Sequence, residues 1–238
     1  MQFTIERSTL LKSLTHVQGV VERRTTIPIL SNVLLQANGG KLGLTATDMD
    51  LAIIEGVPAD VQQDGSTTVP AHTLYDIVRK LPEGSQVEVA AGGEQGQLEI
   101  RSGRSKLSLT TLPSEDFPVM SDGDLPHQFT VAASLLRRLI DRTRFAMSTE
   151  ETRYYLNGLY FHATDASGTE VLRIVSTDGH RLARVEVALP EGAAGMPGII
   201  VPRKAVGEIY KLIEEVEENI EISLSETKIR FAFGEAVL

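Results

Sequence analysis

Polar and apolar residues alternate from Gln2 to Glu6, the period of a half-buried strand, and Leu10, Leu11, Leu14, Val17 and Val21 then recur at the spacing of one helix face. The spacing predicts a strand over residues 2–6 and an amphipathic helix from Ser8 to Val21. Three strand-like runs follow, Ile29 to Gln36, Lys41 to Thr47 and Leu51 to Val57. The pattern then restarts with a strand from Ser66 to Val69 and a helix from Ala71 to Leu81 that opens after Pro70. Strands over Gln86 to Ala90, Gln97 to Arg101 and Ser105 to Leu112 complete it. Gly92-Gly93 with Gly96, and Ser102-Gly103, supply the turns between these last strands. The unit is β-α-β-β-β, twice over. Strands joined by short turns make antiparallel sheet, and paired helices on one face of it make an α+β fold.

This whole arrangement is itself repeated. Gln2-Phe3-Thr4, followed by Leu10-Leu11, returns as Gln128-Phe129-Thr130, followed by Leu135-Leu136. Ser31-Asn32-Val33-Leu34 faces Leu156-Asn157-Gly158-Leu159, Thr47-Asp48 faces Thr177-Asp178, and Val69-Pro70 faces Val201-Pro202. Ile100 to Leu109 matches Ile229 to Leu238 without a gap. A tandem duplication of one domain accounts for this. Pro, Ser, Asp and Gly accumulate between Ser114 and Pro126, so the expected domains are 1–120 and 121–238. The second copy has no counterpart of Thr110 to Pro118, so the chain is expected to be truncated before its last strand, because folded proteins generally avoid such an open edge.

Composition narrows the chemistry. The 238 residues contain no Cys, which excludes disulfides, thiolate metal sites and cysteine nucleophiles. The N-terminus lacks the uninterrupted apolar centre of a signal peptide, and no window approaches a membrane span, so a soluble, cytoplasmic protein is expected. A net charge of −9 argues against nucleic acid until its distribution is examined. Residues 1–26, 71–80, 134–147 and 202–211 hold 13 of the 23 Lys and Arg but only 5 of the 32 Asp and Glu. In the third window Leu135, Leu136, Leu139 and Ile140 form an apolar stripe with Arg137, Arg138 and Arg144 off it. The second helix buries Leu74, Ile77, Val78 and Leu81 and turns His72, Arg79 and Lys80 outward, and the fourth helix sets Lys204 and Lys211 opposite Val206, Ile209 and Leu212. Basic helix faces on acidic sheets suit loose, sequence-independent contact with phosphates.

Asp48 and Asp50 fall on one strand face and could pair as an acid/base or metal site, though a strand end carrying exposed acids is the commoner explanation. Asp178, His180 and Arg181 offer an acid, a base and a cation, but no GxSxG nucleophile motif accompanies them. A hydrolase using Asp48 and Asp50, or Asp178 and His180, is the alternative these residues leave open. Histidines 16, 72, 127, 162 and 180 lack metal-ligand spacing, and no phosphate-loop motif occurs, so no metal or cofactor is expected. Arg153-Tyr154-Tyr155 sets two aromatics beside a cation, a combination that stacks on bases or packs as partly buried strand residues. Glu214-Glu215-Val216-Glu217-Glu218 reads as a solvated helix end.

The segments QFTIERSTLLKSL, PILSNVLLQ, LTATDMDL, TTVPA, RSGRSKLSLTTLPSEDFP, RYYLNG, STDGHRLA and IVPRKAV resemble, in this order and spacing, the bacterial sliding clamps, the beta subunits of DNA polymerase III holoenzyme. The resemblance covers essentially the whole chain. It implies a first clamp domain and most of a middle one, with a third absent, antiparallel sheets outside and helices lining a ring around duplex DNA. It implies a non-catalytic processivity factor, a head-to-tail homodimer in full-length form. Its partners would be the replicative polymerase catalytic subunit, a clamp loader and other proteins with a clamp-binding motif. Family positions that contact DNA fall on Arg24, His72, Glu150, Tyr154 and Tyr155, beside the helix cations Arg137 and Arg138. The partner-peptide pocket falls on Leu156, Thr177, Gly179, His180, Arg181 and Leu182. The dimer surface falls on Arg104, Lys106, Ser108 and Leu109.

Overall fold

A computed structural model describes residues 1–92, 96–118, 120 and 123–238. Gly93, assigned above to a hairpin turn, lies outside the described residues. The chain forms two compact units, Met1–Met120 and Ser121–Leu238.

The first unit runs β1 (Gln2–Glu6), α1 (Arg7–Val17), β2 (Asn32–Asn38), β3 (Lys41–Thr47), β4 (Ala52–Pro58), β5 (Asp60–Gln63), β6 (Gly65–Pro70), α2 (Ala71–Lys80), β7 (Gln86–Ala91), β8 (Gln97–Ser102) and β9 (Ser105–Thr110). Its strands make one sheet in the order β5-β1-β7-β8-β9 and another in the order β4-β3-β2-β6, with every pairing antiparallel. Phe3, Leu10, Leu14, Val17, Leu74, Val78, Leu98 and Ile100 are buried where helices α1 and α2 meet the sheets. Each such side chain contributes about 1.5 to 3 kcal/mol on burial.

The second unit runs β10 (His127–Ala132), α3 (Ala133–Thr143), β11 (Gly158–Asp165), β12 (Glu170–Thr177), β13 (Leu182–Ala188), β14 (Ile199–Pro202), α4 (Arg203–Ile213), β15 (Asn219–Leu224), β16 (Ile229–Phe233) and β17 (Ala236–Val237). Its strand orders are β13-β12-β11-β14 and β10-β15-β16-β17. All four helices begin at the residue directly after a strand, with Pro70 and Pro202 closing the strands before α2 and α4. The α+β class and the duplication are therefore present in the backbone itself.

The differences from the expected elements have local causes. Helix α1 ends at Val17, four residues early, and its last turn tightens as the Gly19 and Val20 amides reach back only three residues to His16 and Val17. Gly19 weakens the helix and Val20 and Val21 turn inward, both buried. Pro28 and Ile29 open a short 3-10 turn, Pro28–Ser31, so β2 starts at Asn32 rather than Ile29. Strand β5 is additional to the repeat as read, pairing with β1. Strand β9 stops at Thr110, and beyond it Leu112 makes a single bridge to Thr68. Strand register also moves the repeat by one residue: Asn32 stands opposite Pro70 as Gly158 stands opposite Pro202, so Asn32 corresponds to Gly158 and not to Asn157. A Cβ at Gly158 would strike the Val201 carbonyl, which is why that position needs glycine.

Candidate nucleic-acid interface and peptide-binding turn

In the first unit the cations divide by what they touch. Arg7 donates to the Val78 carbonyl at 3.1 Å and the Arg79 carbonyl at 2.7 Å, satisfying the C-terminal end of α2. Arg79 lies 5.5 Å over the Tyr75 ring and pairs with Asp76 at 3.3 Å. His72, expected to face outward, is half-buried, its ring nitrogens 3.3 Å from the Gln18 side-chain oxygen and 3.1 Å from the Val21 carbonyl. It ties the start of α2 to the end of α1, because the shortened helix brings Gln18 and Val21 beside it. Arg23 and Arg24, on the segment after α1, and Lys80 are exposed and carry no hydrogen bond or ion pair among the described residues.

In the second unit Leu136, Leu139 and Ile140 face the core, as the stripe predicts, with Leu135 half-buried. Arg138 and Arg142 are exposed and unpaired among the described residues. Arg137 donates to Glu214 at 2.9 Å and lies 5.4 Å from the Tyr210 ring centroid, and Arg144 lies over the same ring at 3.8 Å while pairing with Asp141 at 3.2 Å. A hydrogen bond to Tyr210, then the charges of Glu214 and Asp141, hold the Arg137 guanidinium above its ordinary pKa. Lys211 is held by Glu208 at 2.8 Å.

Tyr154 and Tyr155 sit in the turn before β11 rather than in a strand, 77% and 58% exposed, with ring centroids 5.5 Å apart, edge to face. Glu150 is exposed on the same segment and pairs with Arg153 at 2.9 Å, so its charge is offset locally. Exposed aromatics with a cation nearby offer faces on which bases or sugars stack.

The turn between β12 and β13 is set by two side chains. The Thr177 hydroxyl donates to the Arg181 carbonyl at 2.7 Å and accepts the Gly179 amide at 3.1 Å. Asp178 accepts the amides of His180 at 2.9 Å and Arg181 at 3.0 Å, and the Arg181 guanidinium at 2.9 Å. The His180 amide first, then that of Arg181, hold the Asp178 carboxyl down at about 2. Gly179 has φ 91°, open to glycine at little cost. The outcome is a rigid turn presenting His180, Arg181 and a 65% exposed Leu182, with Leu156 half-buried. Arg181 lies 5.5 Å from the ring centroid of Phe145, itself 56% exposed. Phe145 was not singled out in the sequence, where an apolar residue just past a helix reads as core.

The first unit repeats the four bonds of this turn that run to backbone groups. Thr47 donates to the Leu51 carbonyl at 3.0 Å and accepts the Met49 amide at 3.0 Å, while Asp48 accepts the amides of Asp50 at 3.0 Å and Leu51 at 2.8 Å. Met49 occupies Gly179's place with φ 85°. Asp48 and Asp178 are thus backbone-capping residues, which accounts for the paired acids without acid/base chemistry. Among the described residues no group of three or more His, Asp or Glu could hold a metal ion, and no helix is long and apolar enough to cross a membrane.

Strand β9 is the edge of its sheet. Arg104, Lys106 and Ser108 are exposed, Lys106 pairing with Glu99 at 2.7 Å and Ser108 donating to Gln97 at 2.7 Å. Leu109, expected on that surface, is buried against Leu98, because side chains on a strand alternate faces. Sequence reasoning also missed a buried network in which Glu55 on β4 accepts Ser13 at 2.9 Å and meets His16 Nδ1 at 2.8 Å, both on α1. Each of the three is below a tenth exposed.

Residues 1–121 match the model of the DNA polymerase III beta subunit N-terminal domain, and residues 130–238 that of its central domain. The beta sliding clamp of Caulobacter vibrioides is 54% identical over 238 residues, 100% of this chain and 64% of that protein. The Escherichia coli beta sliding clamp is 40% identical over 238 residues, 63% of its own length. Among solved structures, a Caulobacter crescentus beta sliding clamp superposes with TM-score 0.97 at 54% identity, covering 100% of this chain and 63% of that one. A Bartonella birtlesii sliding clamp bound to griselimycin does so with TM-score 0.95 at 50% identity, again over 100% and 63%. The chain therefore spans just under two thirds of the length of these relatives.

Proposed function

The chain belongs to the family of the DNA polymerase III beta subunit, and from that premise we propose that it works as a DNA sliding clamp. It encircles duplex DNA as part of a ring and tethers the replicative polymerase and other proteins to it, with no catalytic step of its own. The observation that carries this reading is the match of both units, end to end, to relatives of that kind at 54% identity.

Arg24, Arg138, Tyr154 and Tyr155 supply the duplex contacts, supported by their exposure and by the absence, among the described residues, of competing partners for the two arginines. His72 and Glu150 act one step back, His72 by fixing the end of α1 and Glu150 by fixing Arg153. The turn holding Thr177, Gly179, His180, Arg181 and Leu182, with Leu156, receives a short partner peptide, including those of the polymerase and the clamp loader. An apolar floor with a few fixed polar groups suits that task. Strand β9, with Lys106 and Ser108 outward, Arg104 in the turn before it and Leu109 supporting it from inside, pairs head to tail with a second chain. The two units correspond to the first and middle clamp domains, and the compartment is the cytoplasm.

The test is topological. A version carrying the full length of its relatives is loaded on nicked circular DNA, washed at high salt, and the circle is then linearised. Retention through the wash followed by release on cutting is expected; removal by salt alone would end the encirclement reading.

A further inference from the structure

Helix α3 carries more arginine than its outward face uses. Leu136, Leu139, Ile140 and Thr143 define its inward side. At about 100° per residue, Arg138 falls on the opposite side with Arg142 near it, whereas Arg137, Asp141 and Arg144 fall on one flank. That flank meets Tyr210 of α4. The ring is covered by Arg144 at 3.8 Å and approached by Arg137 at 5.4 Å, and its hydroxyl donates to Asp141 at 3.3 Å. Glu214 and Asp141 close the cluster on Arg137 at 2.9 Å and Arg144 at 3.2 Å.

We propose that Tyr210 is a positioning residue that withholds Arg137 and Arg144 from phosphate, leaving Arg138 and Arg142 to carry the second unit's electrostatic grip on a duplex. The inference rests on the duplex-binding reading above. A single exposed ion pair is weak and would not hold an arginine against a phosphate. Here each guanidinium has both a carboxylate and the Tyr210 ring, whose negative face attracts each cation beyond the ion pair. The charge count matters more than any one contact. Two arginines with two carboxylates sum to zero, so a phosphate nearing this flank meets no net positive charge. Arg138 and Arg142 have no such counter-charge among the described residues.

The experiment follows binding of the whole 238-residue chain to a short fluorescent duplex across a salt series, with far-UV circular dichroism confirming that each variant folds. Arg138→Gln and Arg142→Gln should each flatten the slope of log K against log salt by about 0.9, one phosphate contact apiece. Arg137→Gln and Arg144→Gln should leave the slope alone and lower the unfolding midpoint. The double variant Asp141→Asn with Glu214→Gln frees both arginines and should steepen the slope by up to about 1.8, which a merely structural cluster would not do. Tyr210→Leu alone removes the shared ring and should also steepen the slope; a slope unchanged by it overturns the role given to Tyr210. Equal flattening by Arg137→Gln and Arg138→Gln, or no steepening in the double variant, overturns the proposal while duplex binding stands. An unmodified chain with no salt-dependent duplex affinity removes the duplex reading and this inference together.

Discussion

Met49 and Gly179 occupy one position of a duplicated turn with nearly the same backbone, φ 85° and 91°, and only the glycine does so without strain. A side chain in this region costs about 1 kcal/mol or more. Met49→Gly is therefore expected to stabilise the first unit by up to about 1 kcal/mol, and Gly179→Ala to destabilise the second by about 1 kcal/mol, both read by urea unfolding. Asp178 supplies a pH test of the same turn. Its folded pKa, about 2, lies below the unfolded value of about 4, so its contribution is complete above pH 4 and is lost as pH falls through 2. A carboxyl resonance of Asp178 titrating near pH 4 would contradict the bonding described. The Thr-Asp pairs were legible as a repeat, but their role was not. Alternation puts Asp48 and Asp50 on one strand face, but both lie in the turn between β3 and β4, where Asp48 is taken by two amides.

Helices and most strands were legible because their apolar spacing matched the face they bury. Gln2–Glu6 and Lys41–Thr47 fall where periodicity puts them. What spacing could not show is how elements are fastened. Helix α1 is locked to β4 through Ser13, His16 and Glu55, residues 39 to 42 apart in sequence on an otherwise ordinary helix face. Removing the carboxylate takes the acceptor from the buried Ser13 hydroxyl and the 2.8 Å contact from His16, so Glu55→Ala should cost about 3 kcal/mol. Glu55→Gln, which keeps an acceptor oxygen, should cost less. A Glu55→Ala variant with unchanged unfolding would mean that the network contributes nothing to holding α1. The edge strand β9 makes a separate prediction, on self-association. Arg104→Glu with Lys106→Glu should weaken pairing of full-length chains in sedimentation, since Lys106 on the strand and Arg104 in the turn before it are both exposed while Leu109 stays in the core.

The whole molecule carries −9, yet three exposed, unpaired cations among the described residues, Lys80, Arg138 and Arg142, lie on helices and two more, Arg23 and Arg24, follow α1. Counting Lys and Arg in helical windows located that charge correctly and overstated how much of it is available. Arg7, Arg79, Arg137, Arg144 and Lys211 are each bonded within their own unit, while Arg23, Arg24, Lys80, Arg138 and Arg142 are exposed and unpaired among the described residues. If only these last five meet phosphates, the salt slope of duplex binding should not exceed about 4.5 in magnitude. A steeper slope would mean that bonded cations exchange their partners for DNA. The partitioning escaped sequence reading because it depends on neighbours such as Tyr210 and Glu214, more than 60 residues from α3.

The twin turns also bear on how a duplicated scaffold diverges. One hydrogen-bonded frame, held by Thr47 and Asp48 in one unit and by Thr177 and Asp178 in the other, carries two unrelated sets of side chains at its tip. Frame and tip are thus separable inheritances, and the tip can be rewritten without rebuilding what supports it. Met49→Gly, Asp50→His, Leu51→Arg and Ala52→Leu together would copy the second tip onto the first. Should that graft bind the same peptide, even weakly, the chain would become bivalent, and a partner with two linked motifs would gain from effective concentration rather than from any new contact.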